Sequence, residues 1–231
     1  MINISGFDIS AVLFDLDNTL VDRDLAVSRL AVQLHQIVDF DEREPGQAEF
    51  VREFVRIDAG GTIPDKRAQM ALVIDELSII YEEPDGLKSW WDREYPAAFT
   101  LERSTKLVLQ KLSESDTPWG IVSNGSSLQL DVVRAVGLDL LTDTILISSI
   151  AGYRKPDKAI FELAASGVSP NTPLSNILFV GDNPTADIVG AADAGMRTAW
   201  VTRGREWQLS DTKPSISVEL VGDLLGHFGS N

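Results

Sequence analysis

The chain has no cysteine, which excludes disulfides, thiol nucleophiles and thiolate metal sites and leaves any metal to oxygen ligands or to the two histidines. Long apolar runs are missing too: none approaches the roughly 18 residues of a membrane span. The opening MINISGFDIS has neither the basic start nor the apolar middle of a secretory signal, so a cytoplasmic protein with no membrane contact is expected. Basic residues are scarce, 20 Lys and Arg against 35 Asp and Glu, a formal net charge of −15. That balance argues against nucleic-acid binding, because phosphate backbones are held mainly by clustered Lys and Arg. A protein this acidic that handled an anion would need local positive charge from a cation and a few placed basic residues.

What is present is an ordinary globular composition, 44% hydrophobic and 24% charged over 231 residues, enough for one large or two small domains. The chain is organised around AVLFDLDNTL, residues 11 to 20. Ala11 to Phe14 form a short apolar run, as expected of a strand covered on both faces in a parallel sheet. Asp15, Asp17 and Thr19 follow at its carboxyl end, where open α/β sheets bind ligands. The plain alternative is a strand ending in a turn that favours Asp and Asn.

Residues 22 to 98 read as helical throughout. Apolar stripes run through Leu25, Leu30, Leu34 and Ile37, through Phe50, Phe54 and Ile57, and through Met70, Val73, Ile74, Leu77 and Ile80. Pro45, Gly60–Gly61, Pro64 and Pro84 punctuate them. From about residue 101 the pattern alternates: helix 101–113, strand WGIV, helix 126–136, strand TILIS, helix 157–166, strand ILFV, helix 185–194 and strand TAWV. A weak strand at 216–218 and a short helix to Phe228 close the chain. Such βα units imply a doubly wound parallel sheet, an α/β core (1–21 and 99–231) interrupted by an all-α insert (22–98).

Three further strand ends carry polar residues. IVSNG places Ser123 and Asn124 before a helix, where a hydroxyl and backbone N–H groups suit a phosphate oxygen, or where the two residues simply cap the helix. GYRKPDK puts Lys155 ahead of a helix start, as a counter-charge to carboxylates or as a solvated lysine. GDNPTAD supplies Asp182 and Asp187, two more oxygen donors of the kind a magnesium site requires, although Asn183 reads equally as a cap.

In this order, DLDNTL, VSN, RKP and GDNPTAD resemble the four motifs of the haloacid dehalogenase superfamily, over essentially the whole chain. The insert's position resembles the helical cap of the branch that includes phosphoglycolate phosphatase, β-phosphoglucomutase and nucleotide and sugar-phosphate phosphatases. The resemblance implies a Rossmann-like core and a phosphoric monoester hydrolase. It makes Asp15 the nucleophile and Asp17 the acid and base. Mg²⁺ would be held by Asp15, the backbone carbonyl of Asp17 and Asp182, with Asp187 ligating directly or orienting a ligand. Ser123 and the amide of Asn124 would hold phosphoryl oxygens, Lys155 would balance charge, and Thr19 would steady the nucleophile loop. Asp17 disfavours dehalogenation, since a halide leaves without a proton. A phosphomutase shares these residues, and a non-catalytic binding protein has no need of Asp17. Specificity would lie in the insert, where Arg56, Gly60, Gly61, Lys66 and Arg67 surround the turn at 57–67 as specificity residues or as solvated helix ends. The expected partner is a small phosphorylated metabolite, bound by a monomer or homodimer. The loop Arg203 to Trp207 has no assigned part.

Overall fold

The computed structural model describes residues 1–41, 45–63, 65–81 and 83–229; Pro64, one of the expected breakpoints, lies outside the described residues. The chain forms two compact units, Met1–Val21 with Thr100–Asn231, and Asp22–Phe99. The strands in chain order are β1 Ile2–Ile4, β2 Phe7–Ile9, β3 Ala11–Phe14, β4 Asp39–Phe40, β5 Ile79–Ile80, β6 Trp119–Ser123, β7 Ile145–Ile147, β8 Ile177–Gly181, β9 Arg197–Val201 and β10 Ile216–Val218.

In the first unit, six strands form one sheet of order β10-β9-β8-β3-β6-β7, with every pairing parallel. From β3 the chain winds outward through β6 and β7, then returns to build β8, β9 and β10 on the other side. The winding therefore reverses at β3, the switch point beyond whose carboxyl end such sheets bind ligands. The apolar runs explain the position: every residue of β3, β6 and β8 is buried. On one face, the helix Lys158–Val168 lays Ile160, Phe161, Ala164 and Ala165 against Leu13, Ile177 and Phe179. Phe161 meets Phe179 edge-on with centroids 5.0 Å apart. Burying a side chain of this size stabilises by roughly 1.5–3 kcal/mol.

Three local features depart from expectation. A hairpin of β1 and β2 precedes β3, in strands of three residues, too short for an alternating pattern to register. The expected helix 185–194 is split into a π-helical stretch Pro184–Val189 and an α-helical Gly190–Ala194. The wider turn is closed by Ile188 N–H donating to the Asn183 carbonyl at 3.3 Å, and such turns recur at functional sites. The closing helix, Val221–His227, is of the tighter 3₁₀ form.

The second unit holds helices Arg23–Ile37, Gln47–Asp58, Lys66–Glu76 and Pro84–Glu94. Asp22 caps the first and Asp65 the third through side-chain bonds to Leu25 N–H and Ala68 N–H, and Pro84 opens the fourth. A buried column of aromatics runs through the unit: Phe50, Phe54 and Trp91 from the helices, then Tyr95 and Phe99 from the segment after the fourth, each ring within 6.3 Å of the next. The unit is helical as expected, with one addition, an antiparallel ladder of β4 with β5, each only two residues long. Leu25, Ile37 and Ile80, counted in the apolar stripes, are exposed; the first helix instead buries Ala26, Val27, Leu30, Ala31 and Leu34.

Candidate active site

The site is built on the carboxyl ends of β3, β6 and β8. Asp15 follows β3 directly, its N–H donating to the Val180 carbonyl at 2.9 Å, so the sheet ladder itself fixes its backbone. The turn continues through Asn18, whose φ of 60° lies in the left-handed region that Asn tolerates. Asp182 follows β8. Asp187 comes from the π-helical turn and reaches back, accepting from Asn183 N–H at 2.9 Å. Gly181 makes that approach possible, since a Cβ there would lie 2.5 Å from Asp187 Cβ and Cγ.

Lys155 joins these groups. Its Nζ lies 2.5 Å from Asp15 Oδ1 and 2.7 Å from Asp187 Oδ1, and the side chain is only 2% exposed, so it is no solvated lysine. Asn124 holds it from behind: its Nδ2 donates to the Lys155 carbonyl at 2.8 Å and its Oδ1 accepts from Lys155 N–H at 2.9 Å. Asn124 and Ser123 are therefore not caps of the helix Leu128–Ala135, whose N-cap is Ser127. Asn183 is a cap, accepting from Thr185 and Ala186 N–H. The buried hydroxyls of Ser123 and Thr19 have no hydrogen-bond partner among the described residues. Thr19 closes the turn after β3 through its N–H, 3.3 Å from the Leu16 carbonyl, rather than through its hydroxyl.

Three carboxylates thus crowd one ammonium. Oxygens of Asp15, Asp182 and Asp187 lie within 4.8 Å of one another. Burial raises Asp15 well above the carboxylate range; Lys155 opposes this, while Asp187 and Asp182 add to it. Burial and the Asp187 charge push Asp182 up to about 6 against the pull of Arg205. Burial works against the charge on Lys155, yet Asp15 and Asp187 outweigh it and raise its pKa. An excess of buried acceptors over cations is chemically a seat for a hard cation and an anion together.

The family model for haloacid dehalogenase-like hydrolases matches residues 9–195. The chain belongs to that family. Among its relatives, a pyrimidine 5'-nucleotidase, YjjG of Escherichia coli, is 34% identical over 106 residues, 46% of this chain and 47% of that protein, so the chain matches about half the length of that relative. A ribulose-1,5-bisphosphate 5-phosphatase of Halopiger xanaduensis is 27% identical over 93% of both chains. In fold, the chain is similar to the HAD-hydrolase YfnB of Bacillus subtilis bound to magnesium, at a TM-score of 0.76 and 21% identity, covering 94% of this chain and 97% of that one. As a haloacid dehalogenase-like hydrolase, the chain is an enzyme with a Rossmann-like core.

Three neighbours of the site were not read from the sequence. Arg205, in the loop that had no assigned part, donates from Nη2 to Asp182 Oδ2 at 2.9 Å and to its carbonyl at 2.8 Å. Trp200 Nε1 also donates to that carbonyl, at 3.0 Å, and packs edge-on against Trp207. Gln129 donates from Nε2 to Asp17 Oδ2 at 2.8 Å. In the helical unit, the residues around the 57–67 turn do not share one point. Arg56 pairs with Glu53 and Glu76, and Arg67 with Asp85, all partly or largely exposed. Gly60 and Gly61 have φ of 65° and 75°, and a Cβ on Gly61 would meet the Arg23 guanidinium at 2.8 Å. Lys66 is mostly buried, with Nζ 2.6 Å from Gln69 Oε1 and 4.0 Å from the Trp91 ring centre. Among the described residues, no helix is long and apolar enough to cross a membrane.

Proposed function

We propose that this chain is a magnesium-dependent phosphatase that hydrolyses a small phosphomonoester through an aspartyl-phosphate. Met1–Val21 and Thr100–Asn231 form its catalytic core, and Asp22–Phe99 its cap, where substrate choice is made. The observation that carries this reading is the seat of Lys155, an ammonium ion-paired with both Asp15 and Asp187 at the switch point of the sheet. Relatives named for a nucleotide and a sugar bisphosphate support a small phosphorylated substrate.

The donor set fits magnesium, because the clustered ligands are all carboxylate oxygens. Asp15, the backbone carbonyl of Asp17 and Asp182 would hold it. Asp187 Oδ2 accepts from Asn183 N–H and its Oδ1 lies 2.7 Å from the Lys155 ammonium, an ion pair rather than a hydrogen bond, so Asp187 would ligate through Oδ1 or orient its neighbours. When bound, the ion supplies positive charge that offsets the carboxylates and the entering phosphate.

Asp15 attacks phosphorus, the bond from phosphorus to the substrate oxygen breaks, and Asp17 gives its proton to the departing alkoxide. Asp17 then takes a proton from a water whose oxygen attacks the aspartyl-phosphate, releasing inorganic phosphate and restoring Asp15. The hydroxyl of Ser123, buried without a partner among the described residues, and the N–H of Asn124 hold phosphoryl oxygens. Lys155 works against the burial that favours a protonated Asp15, and it offsets phosphate charge. A halide would leave Asp17 idle, so the chemistry is phosphoryl transfer.

Purified protein is expected to release phosphate from an aryl phosphate and from some members of a panel of nucleotides, sugar phosphates and phosphorylated acids with Mg²⁺ present. EDTA abolishes the release and added Mg²⁺ restores it. Silence across the panel overturns the proposal, and a sugar phosphate isomerised faster than it is hydrolysed would make the enzyme a mutase.

A further inference from the structure

Gln129 has no part in the steps above, yet it is placed as if it had one. It lies in the helix Leu128–Ala135, which follows β6, is 7% exposed, and spans 112 residues of sequence to donate to Asp17 Oδ2. A buried amide donating to a carboxylate forms a charge-assisted bond, stronger than a neutral one and directional enough to hold a rotamer. Room for this contact is made by Gly125. A Cβ there would stand 2.8 Å from Gln129 Cδ and 2.9 Å from its Oε1. Gly125 is itself pinned, its N–H donating to Ser148 Oγ at 3.0 Å and its carbonyl accepting from Ser149 N–H at 3.2 Å. The turn after β6 therefore presents Gln129 to Asp17 along a fixed path.

We propose that Gln129 is a positioning residue for proton transfer, holding Asp17 in the orientation from which it protonates the departing oxygen. This role rests on Asp17 being the general acid of the proposed phosphatase. When the bond from phosphorus to the leaving oxygen breaks, its electron pair goes to that oxygen and the carboxyl proton follows. Asp17 is left as a carboxylate, which the Gln129 amide stabilises where it forms. One oxygen of Asp17 is committed to the amide, so the direction of the other is set by the same contact.

The test varies the leaving group. A nitrophenolate departs as a stable anion and needs little protonation, whereas an alkoxide needs it fully, so loss of the acid's aim falls on alkyl phosphates. Values of kcat/KM isolate transfer to Asp15 from the later hydrolysis. In Gln129→Leu, kcat/KM is expected to fall about 10²-fold for an alkyl phosphate such as glycerol phosphate and less than about tenfold for p-nitrophenyl phosphate, since a positioned acid contributes roughly 10²–10⁴. Gln129→Met, which keeps the stem of the side chain, and Gly125→Ala, which presses on Gln129 from the other side, are expected to give the same asymmetry, with melting temperatures confirming folded protein. Equal losses on both substrates, or none, in the folded variants would overturn the role of Gln129. Asp17→Asn is the reference: a steeper asymmetry there with none at Gln129 removes only this inference, whereas no asymmetry at Asp17 removes the general acid and leaves Gln129 nothing to position.

Discussion

Each unit of the molecule buries a cluster of charges, and the two clusters are finished differently. In the helical unit, Arg23 grips Asp58 with bonds of 2.7 and 3.1 Å, Gln69 Nε2 adds a third at 3.2 Å, and Lys66 stands 3.7 Å away. Arg23 and Lys66 face Asp58 there, and both oxygens of that carboxylate have donors. In the sheet unit, Asp15, Asp182 and Asp187 share Lys155 and Arg205, and the hydroxyls of Ser123 and Thr19 have no partner among the described residues. Taking charges out of water costs several kcal/mol per ion in either place. The first cluster is closed by its own side chains and serves the fold. The second is left short of positive charge and of hydrogen-bond partners, which a cation and a phosphate would complete.

The sharpest way to break this contrast is at Asp15. Asp15→Asn is expected to lower phosphate release about 10⁴-fold or more, as for other nucleophiles that act as part of a unit. Its melting temperature should be no lower than wild type, because the change removes one of three crowded carboxylates. Retention of a tenth of the activity would show that the open cluster is not the reacting one. Next in size is Arg23→Ala, which leaves Asp58 buried without its guanidinium and is expected to cost about 3–5 kcal/mol in denaturant unfolding. A loss below about 1 kcal/mol would mean that the closed cluster contributes little to the fold. The smallest effect is at Lys66, whose pKa burial pushes down to about 8 from its ordinary 10.5, against the attraction of Asp58. Below about 8 the folded state carries the full cost of the charge. Between that value and 10.5 it releases its proton before the unfolded chain does, so this group makes the protein more stable as pH rises through the window. Lys66→Met keeps the stem against Trp91 and should gain on the order of 1 kcal/mol at pH 7. Urea unfolding at several pH values would show the advantage shrinking from pH 8 upward, and an advantage constant across pH would refute the cause.

Much of the sheet was legible because its signals are local. Continuous apolar runs such as AVLF and ILFVG mark strands buried on both faces, and Asp157 and Asn183 mark helix starts within three residues of the groups they cap. The hairpin of β1 and β2 and the ladder of β4 with β5 were not, because strands of two or three residues have no period to detect. Leu25 and Ile37 fall in the apolar stripe yet are exposed, for the opposite reason: periodicity tells that a face is apolar, not which of its edge residues the neighbouring helices cover.

The order of β3, β6 to β10 and the helices between them, the family, and the polar residues at the ends of β3, β6 and β8 follow from the chain alone, since each of these is set within a few residues. Only the tertiary structure decided how those residues share their charges. The bond from Lys155 to Asp15 spans 140 residues and that from Gln129 to Asp17 spans 112, while Arg205 returns to Asp182 from a loop with no motif of its own. Such contacts depend on which strands become neighbours, and that choice is made by the packing of the whole sheet rather than by any stretch within it.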